Sequence, residues 1–121
     1  MIPESYRKLI KTLIKKNELG NSLWNETSVK DQYKLILNNG MIVLTCKEGA
    51  FDNKVIYLDI YDNTGVLVGS FSAEPILNKS DFDLLNELHN SICHLKELKI
   101  NKQISILIDE INTSDKIGKK D

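Results

Sequence analysis

The sequence predicts an α+β domain in which an N-terminal helix, a four- to five-stranded antiparallel meander and two C-terminal helices form two or three layers. Apolar residues recur with helical spacing near both ends of the chain and alternate with polar residues in the middle. Turn sequences typical of β-hairpins interrupt the middle segment. We therefore expect a single domain over residues 1–112, with its two C-terminal helices packed on the sheet, and a flexible tail over residues 113–121.

Composition and charge narrow the classes of function. The chain has 121 residues and a mass of 13.8 kDa, with 41% hydrophobic and 27% charged residues, which is typical of a soluble globular domain. A net charge of −1 provides no overall positive field for nucleic acid, and the apolar runs are far shorter than a membrane span. The N-terminus lacks the apolar segment of a secretion signal. We expect a cytoplasmic protein that binds neither nucleic acid nor membrane.

The first helix is predicted by one apolar stripe on a 3.6-residue period. Its members are Tyr6, Leu9, Ile10, Leu13 and Ile14. Pro3 suits the first turn of this helix, and Gly20 suits its end. Lysines occupy the opposite face, so the stripe is expected to pack on the core. Trp24 follows beside a short predicted edge strand and is expected to close one end of that core.

Two hairpins are predicted next. Asn39-Gly40 is a strong two-residue turn signal between strands 32–37 and 41–47, and as the loop it pairs Leu35 with Leu44 and Ile36 with Val43. The second hairpin joins residues 54–61 to 66–71 through the turn 62–65. Its returning strand has two possible registers. One places Leu67 and Phe71 beside the isoleucines of the preceding strand, and a bulge at Gly65 places Val66 and Val68 there instead.

Two C-terminal helices are predicted after Pro75. Ser80 is expected to cap the first of them, with Asp83 completing a capping box. The buried stripe of this helix comprises Leu84, Leu85, Leu88, Ile92 and Leu95. A break at residues 99–101 separates a third helix, whose stripe comprises Ile104, Leu107, Ile108 and Ile111.

The predicted sheet carries more apolar residues than a sheet with one wet face requires. Leu35, Leu44 and their neighbours supply one face, yet large side chains also point to the other. Either helices cover both faces, or one face meets another molecule. Since aromatic side chains anchor interfaces, we select a candidate protein-interface surface on the second face. It comprises Ile36, Val43, Tyr57, Asp59 and Tyr61.

Residues suited to catalysis are few. His89 and Cys93 share a helix face. A metal site there would need two more ligands, and Cys46 is the one further cysteine or histidine that could supply one of them. The six glycines form no phosphate-binding loop. We expect two reduced cysteines, no cofactor, no metal and no catalytic residue, with an enzyme using His89 and Cys93 as an alternative.

The motif order resembles that of a group of small uncharacterised bacterial single-domain proteins. Ser22-Leu23-Trp24 after a basic helix, followed by strands around Asn39-Gly40, is similar to their opening. The segment 57–65 (YLDIYDNTG) is similar to their middle, and segments 83–88 and 103–111 to their end. The resemblance covers residues 5–111 and implies the same element order, but it implies no activity and no functional residue.

The sequence thus predicts a non-catalytic protein-binding module. Residues 46–90 contain three lysines against eight acidic residues, which favours a basic partner. The abundance of lysine, isoleucine and asparagine, whose codons are AT-rich, indicates a low-GC bacterium or its mobile elements. A bacterial immunity protein or a phage-encoded inhibitor that occupies a partner's surface fits this description. A self-associating structural or chaperone-like protein, present as a homodimer, is the second hypothesis.

Overall fold

A computed structural model of the chain describes residues 2–49 and 53–120. Along the chain, one helix precedes five strands and a second helix follows them, which is an α+β arrangement as the sequence predicts. The elements in chain order are α1 (Glu4–Glu18), β1 (Asn25–Glu26), β2 (Gln32–Leu37), β3 (Gly40–Glu48), β4 (Lys54–Asp62), β5 (Leu67–Ala73) and α2 (Lys79–Thr113). The strands form one antiparallel sheet in the order β1-β2-β3-β4-β5, so each strand pairs with its neighbour in the chain.

One hydrophobic core lies between the sheet and both helices. α1 contributes Ile10, Leu13 and Ile14, and the strands contribute alternate residues such as Leu44 and Leu58. The first half of α2 contributes Phe82, Leu84, Leu85, Leu88 and Ile92. Both helices therefore cover the same face of the sheet, and no element among residues 2–49 and 53–120 covers the other face.

The first hairpin turns one residue earlier than the sequence predicts. Leu37 pairs with Gly40, so the loop is Asn38-Asn39 and the predicted pairing is wrong by two positions. A shift of two keeps every side chain on its predicted face. Gly40 is the first residue of β3 and not part of the turn. Glycine is needed there because a Cβ would collide with the carbonyl oxygen of Tyr61 on β4.

The second hairpin follows neither predicted register in full, because Val66 and Val68 are 56% and 61% exposed and the bulge lies at residue 68, not at Gly65. Phe71 pairs with Leu58 and Gly69 with Ile60, on the core face of the sheet. A bulge follows, and Leu67 then pairs with Tyr61 on the opposite face. A Cβ at Gly69 would lie too close to the hydroxyl of Tyr6, so a larger residue there would need the Tyr6 side chain to shift. The Tyr6 ring packs edge-on against Phe71 with centroids 6.5 Å apart.

α2 is one continuous helix of 35 residues, so the predicted break at residues 99–101 is wrong. That segment contains neither glycine nor proline, and Asn101 alone does not interrupt a helix. The predicted cap is also wrong, because the helix begins two residues earlier than predicted, with Asn78 at the N-cap position. The side chain of Asn78 instead accepts a hydrogen bond from the backbone N–H of Glu74.

A buried ion pair joins the N-terminal ends of the two helices. Asp81 is 4% exposed and accepts a 2.8 Å hydrogen bond from the guanidinium of Arg7 and a 3.0 Å hydrogen bond from the backbone N–H of Ile2. The pair connects the start of α2 to α1.

Candidate functional site

The C-terminal half of α2 extends beyond the core. Every residue from Lys96 to Thr113 is exposed, whereas Ile92, one turn earlier, is 2% exposed. We call residues 96–113 the α2 extension, and at 1.5 Å per residue its 18 residues span about 27 Å. The predicted third helix packed on the sheet is therefore wrong in its packing as well as in its separation.

Five large aliphatic side chains form a continuous apolar stripe along the α2 extension. The stripe comprises Ile100, Ile104, Leu107, Ile108 and Ile111. Each side chain is between 47% and 51% exposed, which leaves only its neighbours on the same helix to cover the remainder. A row of half-exposed aliphatic residues on one helix face is a surface that water disfavours and that a second helix would cover.

An open groove of about 600 Å³ lies where the α2 extension leaves the core. Its wall on one side is the segment from Gly20 to Glu26, and its wall on the other is α2. The apolar lining includes Leu23, Trp24, Leu95, Leu98 and Ile100. Ile100 belongs to both the groove and the apolar stripe, so the two apolar surfaces are continuous.

Asn17 holds Trp24 in the wall of the groove. Asn17 is 1% exposed, its Oδ1 accepts a 2.8 Å hydrogen bond from Trp24 Nε1, and its Nδ2 donates a 2.8 Å hydrogen bond to Ser91 Oγ. The amide thus connects α1, α2 and the segment before β1. The predicted position of Trp24 at one end of the core is confirmed, since its ring packs against the core cluster.

We expect Asn17→Ala to lower the free energy of unfolding by about 1–3 kcal/mol, because it leaves buried polar partners unsatisfied. Trp24 is the single tryptophan of the chain, so its fluorescence reports on this site alone. Chemical denaturation followed by fluorescence measures both the stability and the emission wavelength. Asn21→Ala, at an exposed position, is the control. Equal stability of the two variants would show that the hydrogen bonds of Asn17 contribute nothing.

Lysines border the groove on α2. Lys96 forms an ion pair with Glu26 of β1, which raises the pKa of Lys96 above its usual value through the hydrogen bond and the charge of Glu26. Lys99 and Lys102 also line the groove. The base of the α2 extension is therefore positively charged, whereas its tip carries Asp109 and Glu110.

The candidate interface residues from the sequence all lie on the sheet face away from the helices. Ile36 is 60% exposed, whereas Tyr57, Asp59 and Tyr61 are half-buried. Val43 is 8% exposed and lies outside the main core cluster. The structure thus brings the five residues together on one uncovered surface.

Local contacts account for two of these five residues. Asp59 accepts a 2.6 Å hydrogen bond from the hydroxyl of Ser70 on β5. The ammonium of Lys47 lies 5.5 Å from the centre of the Tyr57 ring, at cation–π distance. These cross-strand contacts stabilise the sheet, and they leave Ile36 as the most exposed aliphatic side chain of the group.

His89 and Cys93 lie together on the underside of α2 and not in the groove. Cys93 Sγ is 3.8 Å from His89 Nε2, and the His89 ring packs against Tyr33 with centroids 5.9 Å apart. Both cysteines are free and half-buried, and burial is the main cause that raises the pKa of Cys46. Burial and the nearby Cys93 raise the pKa of Tyr33 to about 12. Within residues 2–49 and 53–120, no three His, Cys, Asp or Glu side chains are placed to hold a metal ion.

Burial, together with the positive charge of Lys54 on β4, lowers the pKa of His89 below its ordinary 6.5. Asp31 opposes this shift, and Tyr33 and Cys93 are the other titratable groups in contact with the ring. Folding therefore favours the neutral imidazole, whose Nδ1 is buried without a hydrogen-bond partner among the described residues.

We expect the free energy of unfolding to fall as the pH drops below about 6.5, because the unfolded chain then binds a proton at His89 that the folded protein resists. Above that pH the contribution of His89 is fully present. Denaturation at a series of pH values compares the wild type with His89→Gln, whose profile is expected to be flatter in this range. His94→Gln, at an exposed position, is the control. A His89→Gln profile as steep as that of the wild type would contradict the assignment.

Comparisons with protein-family models, with curated proteins and with solved structures each found no match to this chain. The resemblance to small bacterial proteins consequently stays a likeness of motifs. The described residues include no helix that is both long enough and apolar enough to cross a bilayer.

The exposure of the α2 extension was not predicted from the sequence. One signal for it was present. At 100° per residue, the stripe of residues 100–111 is rotated roughly 120° around the helix from that of residues 85–95. On one continuous helix the two stripes cannot face the same core. A break at residues 99–101 was predicted without reference to this rotation, whereas in the structure the helix is continuous and the second stripe is exposed.

Proposed function

We propose that this protein is a non-catalytic protein-binding module whose binding element is the apolar stripe of the α2 extension. The exposure of this stripe is the observation that carries the proposal. A large aliphatic row that lies outside the core contributes nothing to packing within the described chain. Its burial against another protein would remove roughly half of each side chain from water, which stabilises a complex by about 1 kcal/mol per residue.

The composition of the stripe supports this proposal. Four of its five residues are isoleucine. Isoleucine is a poorer helix former than alanine or leucine, because its branched Cβ loses rotamer freedom in a helix. Isolated helices of this length are marginal in water, so an exposed helix of this composition gains its stability from a packing partner.

The partner surface implied by the stripe is a second amphipathic helix. A stripe with spacing of three and four residues packs by inserting its side chains between those of a facing helix. Occupation of a partner's surface in this manner is consistent with an inhibitor or immunity-type protein of bacterial or phage origin. Helix packing through the stripe is also consistent with self-association, and the charge distribution of the α2 extension favours that alternative.

Site-specific photo-crosslinking in the native host tests the proposal. A photoreactive amino acid at position 107 lies in the stripe, and the same amino acid at position 109 lies on the opposite side of the helix as a matched control. We expect a covalent adduct with a protein from position 107 and little or none from position 109. Absence of any adduct from position 107, or equal yields from both positions, would contradict the proposal.

The uncovered sheet face is a second candidate binding surface. Ile36 is 60% exposed there, beside the half-buried rings of Tyr57 and Tyr61. The same photoreactive amino acid at position 36 tests it. Adducts from position 36 and none from position 107 would show that the protein binds its partner through the sheet and not through α2.

A catalytic role for His89 and Cys93 receives less support. Their side chains pack against Tyr33 beneath α2, and neither residue lines the groove. The pKa of His89 is lowered mainly by burial, and its contact with Cys93 at 3.8 Å is an interaction between residues one helical turn apart. These contacts are consistent with a role in packing.

A further inference from the structure

We propose that the partner of the α2 extension is the same segment of a second copy of this chain, running antiparallel. In the proposed register residue 100 of one copy faces residue 111 of the other, and the numbers of any two facing residues sum to 211. We call this arrangement the 211 register. This inference rests on the proposed function, because it identifies the partner of the same stripe. It is carried by the spacing of the stripe, by the charges along the helix and by the position of the core at one end.

Four of the five stripe residues have a spacing that is the same in both directions along the helix. Ile100, Ile104, Leu107 and Ile111 follow one another at intervals of four, three and four residues. This alternation is that of the core positions of a coiled coil. An antiparallel copy therefore places Ile100 opposite Ile111 and Ile104 opposite Leu107, with all four positions filled on both sides. A two-fold axis between residues 105 and 106 generates this arrangement.

The charges along the α2 extension favour the antiparallel direction. Its base carries Lys96, Lys99 and Lys102 against Glu97, a balance of +2, and its tip carries Asp109 and Glu110, a balance of −2. Antiparallel pairing brings the positive base of each copy level with the negative tip of the second copy. Lys102 and Asp109 lie on the outer side of the helix, so they contribute to the net charge of base and tip and form no ion pair across the seam. Parallel pairing would bring base to base and tip to tip, and it would align the two helix dipoles unfavourably.

The 211 register separates the two cores along the axis of the paired helices. In the 211 register, Thr113 at the tip of one helix is level with Leu98 of the second copy, just beyond the point at which α2 leaves the core. The two cores then lie at opposite ends of the paired helices, and the acidic tip of each copy lies beside the groove lysines of the other.

Analytical ultracentrifugation of the wild type and two charge variants tests self-association. Ile104→Glu places a charge in the stripe, and Ser105→Glu adds the same charge at the next residue, which lies 100° around the helix and outside the stripe. We expect the wild type and Ser105→Glu to be dimers, and Ile104→Glu to associate at least tenfold more weakly. Circular dichroism and Trp24 fluorescence verify that each variant retains the fold. A wild-type monomer at every concentration, or equal association of the two variants, would overturn the proposal.

Mixed disulfide formation tests the direction of pairing. Ile100→Cys and Ile111→Cys are made separately in a Cys46→Ser, Cys93→Ser background, mixed and oxidised. In the 211 register positions 100 and 111 face each other, whereas two copies of position 100 lie about 16 Å apart along the axis. Disulfides need Cα atoms within about 7 Å, so we expect the mixed disulfide alone. Disulfides between identical variants would overturn the antiparallel register.

The photo-crosslinking experiment separates the failure of this inference from the failure of the proposed function. An adduct from position 107 with twice the chain mass of 13.8 kDa supports pairing with a second copy. An adduct with a different protein would retain the proposed function and overturn this inference. Absence of any adduct from the stripe would overturn both.

Discussion

Leu88→Ala is expected to lower the free energy of unfolding by about 2–5 kcal/mol, the cost of a cavity in a well-packed core. Leu88 is 0% exposed and lies in the first half of α2, where the helix packs on the sheet. Chemical denaturation followed by Trp24 fluorescence measures the loss, since Trp24 packs at the edge of the same core.

Leu107→Ala is the matched control for this prediction. It removes the same atoms from the same helix, but Leu107 is 47% exposed and lies in the α2 extension. At protein concentrations too low for association, we expect Leu107→Ala to change the free energy of unfolding by less than about 0.5 kcal/mol. A loss comparable to that of Leu88→Ala would mean that the stripe packs on the core of its own chain.

Asp81→Ala is expected to lower the free energy of unfolding by about 3 kcal/mol. The buried carboxylate accepts hydrogen bonds from Arg7 and from the backbone N–H of Ile2, and its removal leaves both donors unsatisfied. The loss lies at the low end of the range for buried ion pairs, because the Arg7 side chain is 26% exposed and regains contact with water.

Asp83→Ala is the control for the ion pair. Asp83 pairs with Lys79 at 3.3 Å on the surface of the same helix, with 57% and 76% of the two side chains exposed. Such exposed pairs contribute about 0.2–1 kcal/mol. Thermal or chemical denaturation of both variants measures the difference. Equal losses would indicate that burial of the Arg7–Asp81 pair has no energetic consequence.

The sequence predicted the layers of the fold because period-two and period-3.6 patterns depend on which face of an element is buried. The Leu35–Leu44 face of the sheet and the α1 stripe are examples. Registers were less predictable. Gly40 was assigned to a turn, whereas its absent side chain accommodates the Tyr61 carbonyl, a contact that depends on a strand fourteen residues or more away in the chain.

The candidate site was only partly predictable. The group that includes Ile36 and Tyr57 was located on one sheet face from alternation alone, and that face is uncovered in the described chain. The stripe from Ile100 to Ile111 was recognised as apolar but assigned to the core, because periodicity identifies a face without identifying what covers it. The buried contacts of Asn17 and Asp81 depend on the docking of α1 against α2, which no local pattern encodes.

Hydrogen exchange of the backbone amides of residues 100–112, measured over a wide range of protein concentration, tests the central claim most directly. Protection of amides reports the local free energy of opening. We predict that protection of these residues is weak in dilute protein and increases with concentration, whereas protection of residues 84–92 is strong throughout. Strong protection of residues 100–112 that is independent of concentration would contradict the claim that their apolar stripe is exposed in the single chain and is buried only on association.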